Sequence, residues 1–187
     1  MLLSFFKEIP DLRRSNNTTY KQYEILFCTV LSFLCGADSY RKIHSFIDAK
    51  FSMLCKEFDF FEKGKIPSYS TIRDIIQGVD QVDLEAAFRK YSQSLQDVKG
   101  LRFLACDGKV LRGSFDNFND KTASQLLSIF CTGDDLILGH EAIDTKSNEI
   151  PALRKVLLSL GLTDCIFTAD AMHCQKNSSV NLAKQTV

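Results

Sequence analysis

The chain has 187 residues, 45% apolar and 25% charged, with a formal net charge of zero. That length can bury a real core in one large or two small domains, and the composition is that of a globular protein rather than a disordered or fibrous one. Met1–Gly100 sums to +1 and Leu101–Val187 to −1, so no whole-molecule field draws the chain to a polyanion, and nucleic-acid contact would have to come from local patches. The seven cysteines (28, 35, 55, 106, 131, 165 and 174) include no C-x-x-C pair and mostly sit in apolar runs. They read as reduced thiols and argue against a zinc site. The start, MLLSFFKEIP, meets charge and Pro10 too soon for a signal peptide. The longest apolar run, Ile25–Cys35, is about half of a membrane span. A cytoplasmic protein with no membrane partner is expected.

In chain order, Met1–Asn17 reads as a short amphipathic arm ending in the polar cluster RRSNN. Thr18 or Thr19 is the expected cap of a helix that runs to about Cys35, with Gly36 as its stop. Ser39 caps a second helix, whose stripe of Tyr40, Ile43, Phe46, Ile47, Phe51, Leu54, Phe58 and Phe61 follows helical spacing and reads as core. Gly64–Pro67 is a break. Ser68–Gly78 follows as a third helix with Ser70 as its cap, and Asp83 opens a fourth, Leu84–Leu95.

From Leu101 the rhythm changes. Leu101–Cys106 is an apolar run of strand length that stops at Asp107. Gln125–Cys131 and Leu136–Ile143 are two more strands, joined by the turn sequence Thr132-Gly133-Asp134-Asp135. Asn148 caps a helix, Glu149–Leu160, which Gly161 stops. Cys165–Ala169 is a fourth strand, and Ala171–Gln185 reads as helix. The expected class is α+β. An N-terminal helical domain, residues 1–98, precedes an incomplete ribonuclease-H-like α/β domain, residues 99–187, in the order strand, strand, strand, helix, strand, helix.

That topology sets the ends of the first and fourth strands side by side, which brings Asp107 and Asp170 together. Each aspartate has an ordinary explanation on its own: Asp-Gly is a turn dipeptide, and Asp170 could cap the next helix. As a pair they repel, which favours a bound cation or a raised pKa. Magnesium held by carboxylates would polarise a phosphodiester. Lys109 and Arg112 follow Asp107 closely enough to meet DNA phosphates. His173 and Gln175 lie just past Asp170. Glu149 is explained by its place in the first turn of a helix. In the first half, Pro67-Ser68-Tyr69-Ser70-Thr71-Ile72-Arg73 has the shape of a DNA-recognition helix start, with Ser68, Ser70, Thr71 and Arg73 as candidate contacts. An ordinary serine-capped helix is the simpler explanation.

Three segments of the second half together resemble a known family: DGKVLRGS (Asp107–Ser114), LILGHEAIDTKSNEIPAL (Leu136–Leu153) and TADAMHCQK (Thr168–Lys176). They are similar to insertion-sequence transposases of the ISAs type, which include the H-repeat-associated proteins. Leu34–Tyr40 and Gly64–Thr71 resemble the same family. The resemblance implies a helical transposase-associated domain and a DDE-type catalytic domain. In such a domain two Asp and a later Glu hold Mg2+ or Mn2+. By motif, the first two acids are Asp107 and Asp170. The implied partners are DNA of the element ends and of the target.

No residue here matches the motif of the third acid. The polypeptide is therefore expected to be a C-terminally truncated member, inactive alone. Its alternative is a non-catalytic DNA-binding or dimerising fragment that pairs with a full-length transposase. A metal-dependent nuclease unrelated to transposition would need a third acid that the sequence does not offer.

Overall fold

A computed structural model describes residues 1–14, 18–96, 102–110, 125–143, 149–160 and 165–168. The described residues form six helices and one four-stranded mixed sheet, the expected α+β class. They divide into two compact units, Met1–Ala87 and Phe88–Val187.

The first unit contains α1 (Leu2–Glu8), α2 (Gln22–Leu34), α3 (Tyr40–Phe58), α4 (Tyr69–Gln77) and the start of α5 (Gln81–Ser94). Its core is built where the helical stripes meet: Ile25, Ile43, Ile47, Leu54 and Ile72 are fully buried. The helix α2 starts later than Thr18 or Thr19 would place it. Lys21 is its cap residue, and the Lys21 backbone N–H donates to the Glu24 carboxylate at 3.2 Å. This is half of a capping box, so the acid three residues on does the work a threonine was expected to do. Gly36 stops the helix at φ +85°, a conformation in which a side chain would be strained.

Ser39 caps α3, accepting from the Lys42 N–H at 3.4 Å. The apolar stripe was expected to continue in helix as far as Phe61. Instead α3 ends at Phe58 and Asp59 turns left-handed at φ 55°. Phe60 and Phe61 then fold back into the core, Phe60 edge-on to Phe27 at 5.8 Å and Phe61 stacked on Phe51 at 5.6 Å. Phe61 is itself left-handed, φ 59°, a strained state for a bulky residue that the surrounding packing must hold in place. The cap of α4 is Ser68, not Ser70. The Ser68 hydroxyl oxygen accepts from the Thr71 N–H at 3.2 Å.

The second unit is organised by the sheet, in the order β3-β2-β1-β4: β1 (Arg102–Val110), β2 (Gln125–Cys131), β3 (Leu136–Ile143) and β4 (Cys165–Thr168). The first three strands pair antiparallel, and β4 runs parallel to β1. A parallel partner needs a crossover, and α6 (Glu149–Leu160) lies between β3 and β4 in sequence. Leu104, Cys106, Leu127, Ile129 and Leu138 pack against Leu153, Val156 and Leu160 of α6. On the opposite face Phe103 and Ile166, which are register partners, are exposed.

The end of α5 belongs to this unit and covers the β3 edge. Arg89 donates to the His140 carbonyl and to Ser159 Oγ, each at 2.6 Å, and the Ser92 hydroxyl donates to the Ile137 carbonyl at 2.7 Å. Unpaired edge carbonyls are thereby satisfied. Two expected bounds shift. The strand read as Leu101–Cys106 runs on to Val110, and the fourth ends at Thr168 as described, Ala169 lying outside the described residues. The expected helix Ala171–Gln185 also lies outside them. Among the described residues no helix is long and apolar enough to cross a membrane.

Candidate functional site

Strand alternation decides what β1 offers. Leu104 and Cys106 point to α6 and are buried, so Asp107 and Lys109 share neither their environment nor their burial. The Asp107 and Lys109 side chains are 65% and 75% exposed and form an ion pair at 3.3 Å. Residues two apart on a strand project to the same side, which is why this pair can meet. Asp107 was expected just past a strand end, with a turn as its ordinary explanation. It lies within the ladder instead, opposite Ser128 of β2, with Gly108 opposite Leu127. The preceding thiol, Cys106, is pushed up to about 11 by burial, which keeps it protonated and unreactive near neutral pH.

The pairing of β1 with β4 ends with Ala105 opposite Thr168, where the Thr168 hydroxyl also donates to the Leu104 carbonyl at 3.2 Å. Asp170, Arg112, His173 and Gln175 lie outside the described residues. Glu149 is the first residue of α6. Among the described residues no three His, Cys, Asp or Glu side chains gather as a metal-holding group. Asp107 does have the chemistry a hard divalent cation takes: an exposed carboxylate oxygen, already drawing a cationic neighbour in Lys109.

The helical candidates look different in place. The Ser68 hydroxyl lies 2.9 Å from both Ser70 Oγ and Thr71 Oγ1, so the three hydroxyls largely satisfy one another while capping α4. Arg73 pairs with its neighbour Asp74 at 2.9 Å, and that carboxylate holds its guanidinium firmly charged. Two residues here were not candidates from the sequence. Arg41 of α3 lies over the ring of Tyr69 at the start of α4, 5.6 Å from its centroid. They are 28 positions apart, so no local spacing could reveal the pair. An open cavity of about 460 Å3 between Phe6, Lys7, Pro10, Lys21 and Tyr23 contains none of the candidate residues.

Residues 3–92 match the model of the family described as "DDE_Tnp_1-associated". The chain is 34% identical over 176 residues to "Putative transposase YncI" of Escherichia coli K12, covering 94% of this chain and 70% of that protein. Against the protein of the same name from Escherichia coli O157:H7 it is again 34% identical over 176 residues, but spans only 45% of that length. It is 30% identical over 184 residues to "H repeat-associated putative transposase YbfD" of strain K12, covering 98% of this chain and 72% of that protein.

Proposed function

Since the chain belongs to the H repeat-associated transposase family, we propose that it serves DNA transposition through a DDE-type site whose first two acids are Asp107 and Asp170. One observation carries this reading. The β1–β4 register ends with Ala105 opposite Thr168, and Asp107 and Asp170 each lie two residues further along the chain. A parallel ladder continued by two residues would set the two carboxylates level. The sheet order, with three antiparallel strands and a fourth parallel to the first, agrees with the beginning of a ribonuclease-H-like sheet.

In this reading Asp107 and Asp170 would together hold Mg2+ or Mn2+. A divalent ion there supplies positive charge to the phosphodiester under attack. Lys109, beside Asp107, and Arg112 would hold DNA phosphates at the same mouth. Ser68, Ser70, Thr71 and Arg73 are proposed to touch DNA at the other unit. The protein would act in the cytoplasm, at the nucleoid when DNA-bound. Two carboxylates position a metal poorly, so the 187-residue polypeptide assayed by itself is expected not to cut DNA. Mg2+-dependent cleavage that disappears in Asp170→Asn would overturn that expectation.

The site itself is tested by titrating Mn2+ into the chain and following the loss of the free-ion paramagnetic resonance signal. Weak uptake that is abolished by Asp107→Asn and by Asp170→Asn separately supports a shared site. Uptake unchanged in both variants overturns it. A second reading, a non-catalytic fragment that binds DNA or pairs with a full-length transposase, is favoured by the first unit. That unit has its own buried core, and residues 3–92 match a transposase-associated family apart from the catalytic acids. DNA binding that survives Asp107→Ala with no metal present would support it.

A further inference from the structure

We infer that Arg41, held over the ring of Tyr69, is a contact by which the helical unit grips the backbone of duplex DNA. This deepens the proposed function and rests on DNA being the partner. The inner faces of α3 and α4 are apolar, with Ile43, Ile47, Ile72 and Ile75 buried, and this turns Arg41 and Tyr69 outward. Tyr69 remains 46% exposed. The core does not need its ring, since Ile72 and Ile75 anchor α4.

The local charge balance singles out Arg41. Lys42 is neutralised by Asp38 at 2.6 Å and Arg73 by Asp74 at 2.9 Å. Arg41 has no carboxylate partner among the described residues, and the ring of Tyr69 takes that place. A guanidinium held over an aromatic face by a cation–π contact leaves its N–H groups unspent on a carboxylate and free to take phosphate oxygens. That contact also restricts the side chain beforehand, so less rotamer freedom is lost on binding. Lys63 and Lys65 are exposed on the loop that leads into α4, and they extend the positive surface in sequence toward Tyr69.

The test is fluorescence anisotropy of a labelled mixed-sequence duplex with the full 187-residue chain over a range of salt. Arg41→Gln should weaken binding roughly tenfold at low salt. It should also reduce the slope of log affinity against log salt by about 0.9, one phosphate's worth. Tyr69→Ala should cost a similar factor by releasing the guanidinium, while Tyr69→Phe, which keeps the ring, should bind like the native chain. Unchanged thermal melting of each variant shows that the fold is intact. If the native chain binds the duplex and both Arg41→Gln and Tyr69→Ala bind equally well with the same slope, the contact is wrong while the DNA reading stands. If the native chain binds no DNA, the DNA reading falls and this inference with it. If polyglutamate of equal charge displaces the duplex as well as unlabelled duplex does, the patch is a general polyanion site and the assignment to DNA is overturned.

Discussion

The two units bury their apolar residues in different ways. The helical unit closes around its core with aromatic rings: Phe27, Phe51, Phe58, Phe60 and Phe61 contact one another edge-on, tilted or stacked. Among its described residues the sheet unit buries aliphatic side chains and two thiols, Cys106 and Cys131, on one face, and Phe103 and Ile166 on the other are exposed. Within each unit the candidate functional residues sit where burial stops. Asp107 alternates with the buried Cys106 along β1, and Arg41 and Tyr69 lie on the outer faces of helices whose inner faces are isoleucine. Core and function are thus separable residue by residue, and each of the following tests presses on that separation.

The largest effect is expected from truncating a central core side chain in either unit. Leu127 is fully buried in the middle of the sheet, and Leu127→Ala should cost about 3 kcal/mol through lost contacts and an unfilled cavity. The buried thiols report this locally. Cys106 and Cys131 should react with a thiol reagent about a hundredfold faster, with Cys28, which lies in the helical core, unchanged. Ile47→Ala should do the reverse. Equal acceleration of all three thiols by either variant would show that the two cores do not respond separately.

A smaller effect is expected at the β3 edge. The Arg89 and Glu141 side chains are 18% and 15% exposed and lie 3.7 Å apart. Lys155 is also paired with Glu141, so removing Arg89 leaves that acid one cation. Arg89→Ala should therefore cost about 2 kcal/mol in urea unfolding, mostly from the orphaned His140 carbonyl and the loss of one of Glu141's two cations. Arg89→Lys should recover little of it, because one ammonium cannot reach His140, Ser159 and Glu141 together. Full recovery by lysine would mean that the fork geometry is unimportant.

The pH dependence of the helical unit turns on Glu24, which is 2% exposed. Burial raises its pKa above the ordinary carboxylate value, partly offset by backbone N–H groups of Lys21 and Phe61. The same burial, with Glu24 nearby, pushes the Cys28 thiol up to about 12. A carboxyl whose folded pKa is raised adds stability fully below the unfolded pKa, about 4.3, and loses it as pH rises through the folded pKa. A Gln variant does not titrate. The stability of Glu24→Gln relative to the native chain should therefore increase from acid to neutral pH, measured as paired urea melts. A flat or falling difference would mean that Glu24 is better stabilised as an anion than its burial implies.

Much of this architecture was legible in the sequence. The strands Gln125–Cys131 and Leu136–Ile143 and the helix Glu149–Leu160 have the bounds that periodicity and turn residues set. Local chemistry failed where distant partners decide. Asp107-Gly108 reads as a turn, yet hydrogen-bonded pairing with Ser128 and Leu127 keeps it extended. The helix α3 stops before its apolar stripe does, because Phe60 and Phe61 reach the core better from a left-handed turn than from another helical turn. Ser70 reads as the cap of α4 by type, yet Ser68, immediately after the buried Pro67, takes that place. Of the candidate residues, an acid after an apolar run marks Asp107 in the sequence, whereas the Arg41–Tyr69 pair joins two helices and leaves no trace in spacing.

The smallest effect on stability is expected where the functional claim is strongest. Asp107 is 65% exposed and its partner Lys109 is 75% exposed, at 3.3 Å. An ion pair so open to water contributes between nothing and about 1 kcal/mol, and an asparagine can occupy the same ladder position opposite Ser128. Asp107→Asn should thus change the free energy of unfolding in urea by under about 0.5 kcal/mol and leave Cys106 as slow to label as in the native chain, although the two residues are adjacent. The same variant should lose Mn2+ uptake entirely. A carboxylate retained for its charge and not for its packing predicts that combination. A variant that unfolds the sheet unit, or labels Cys106 faster, would instead make Asp107 a structural residue of β1, and the case for a catalytic site would have to rest on Asp170 alone.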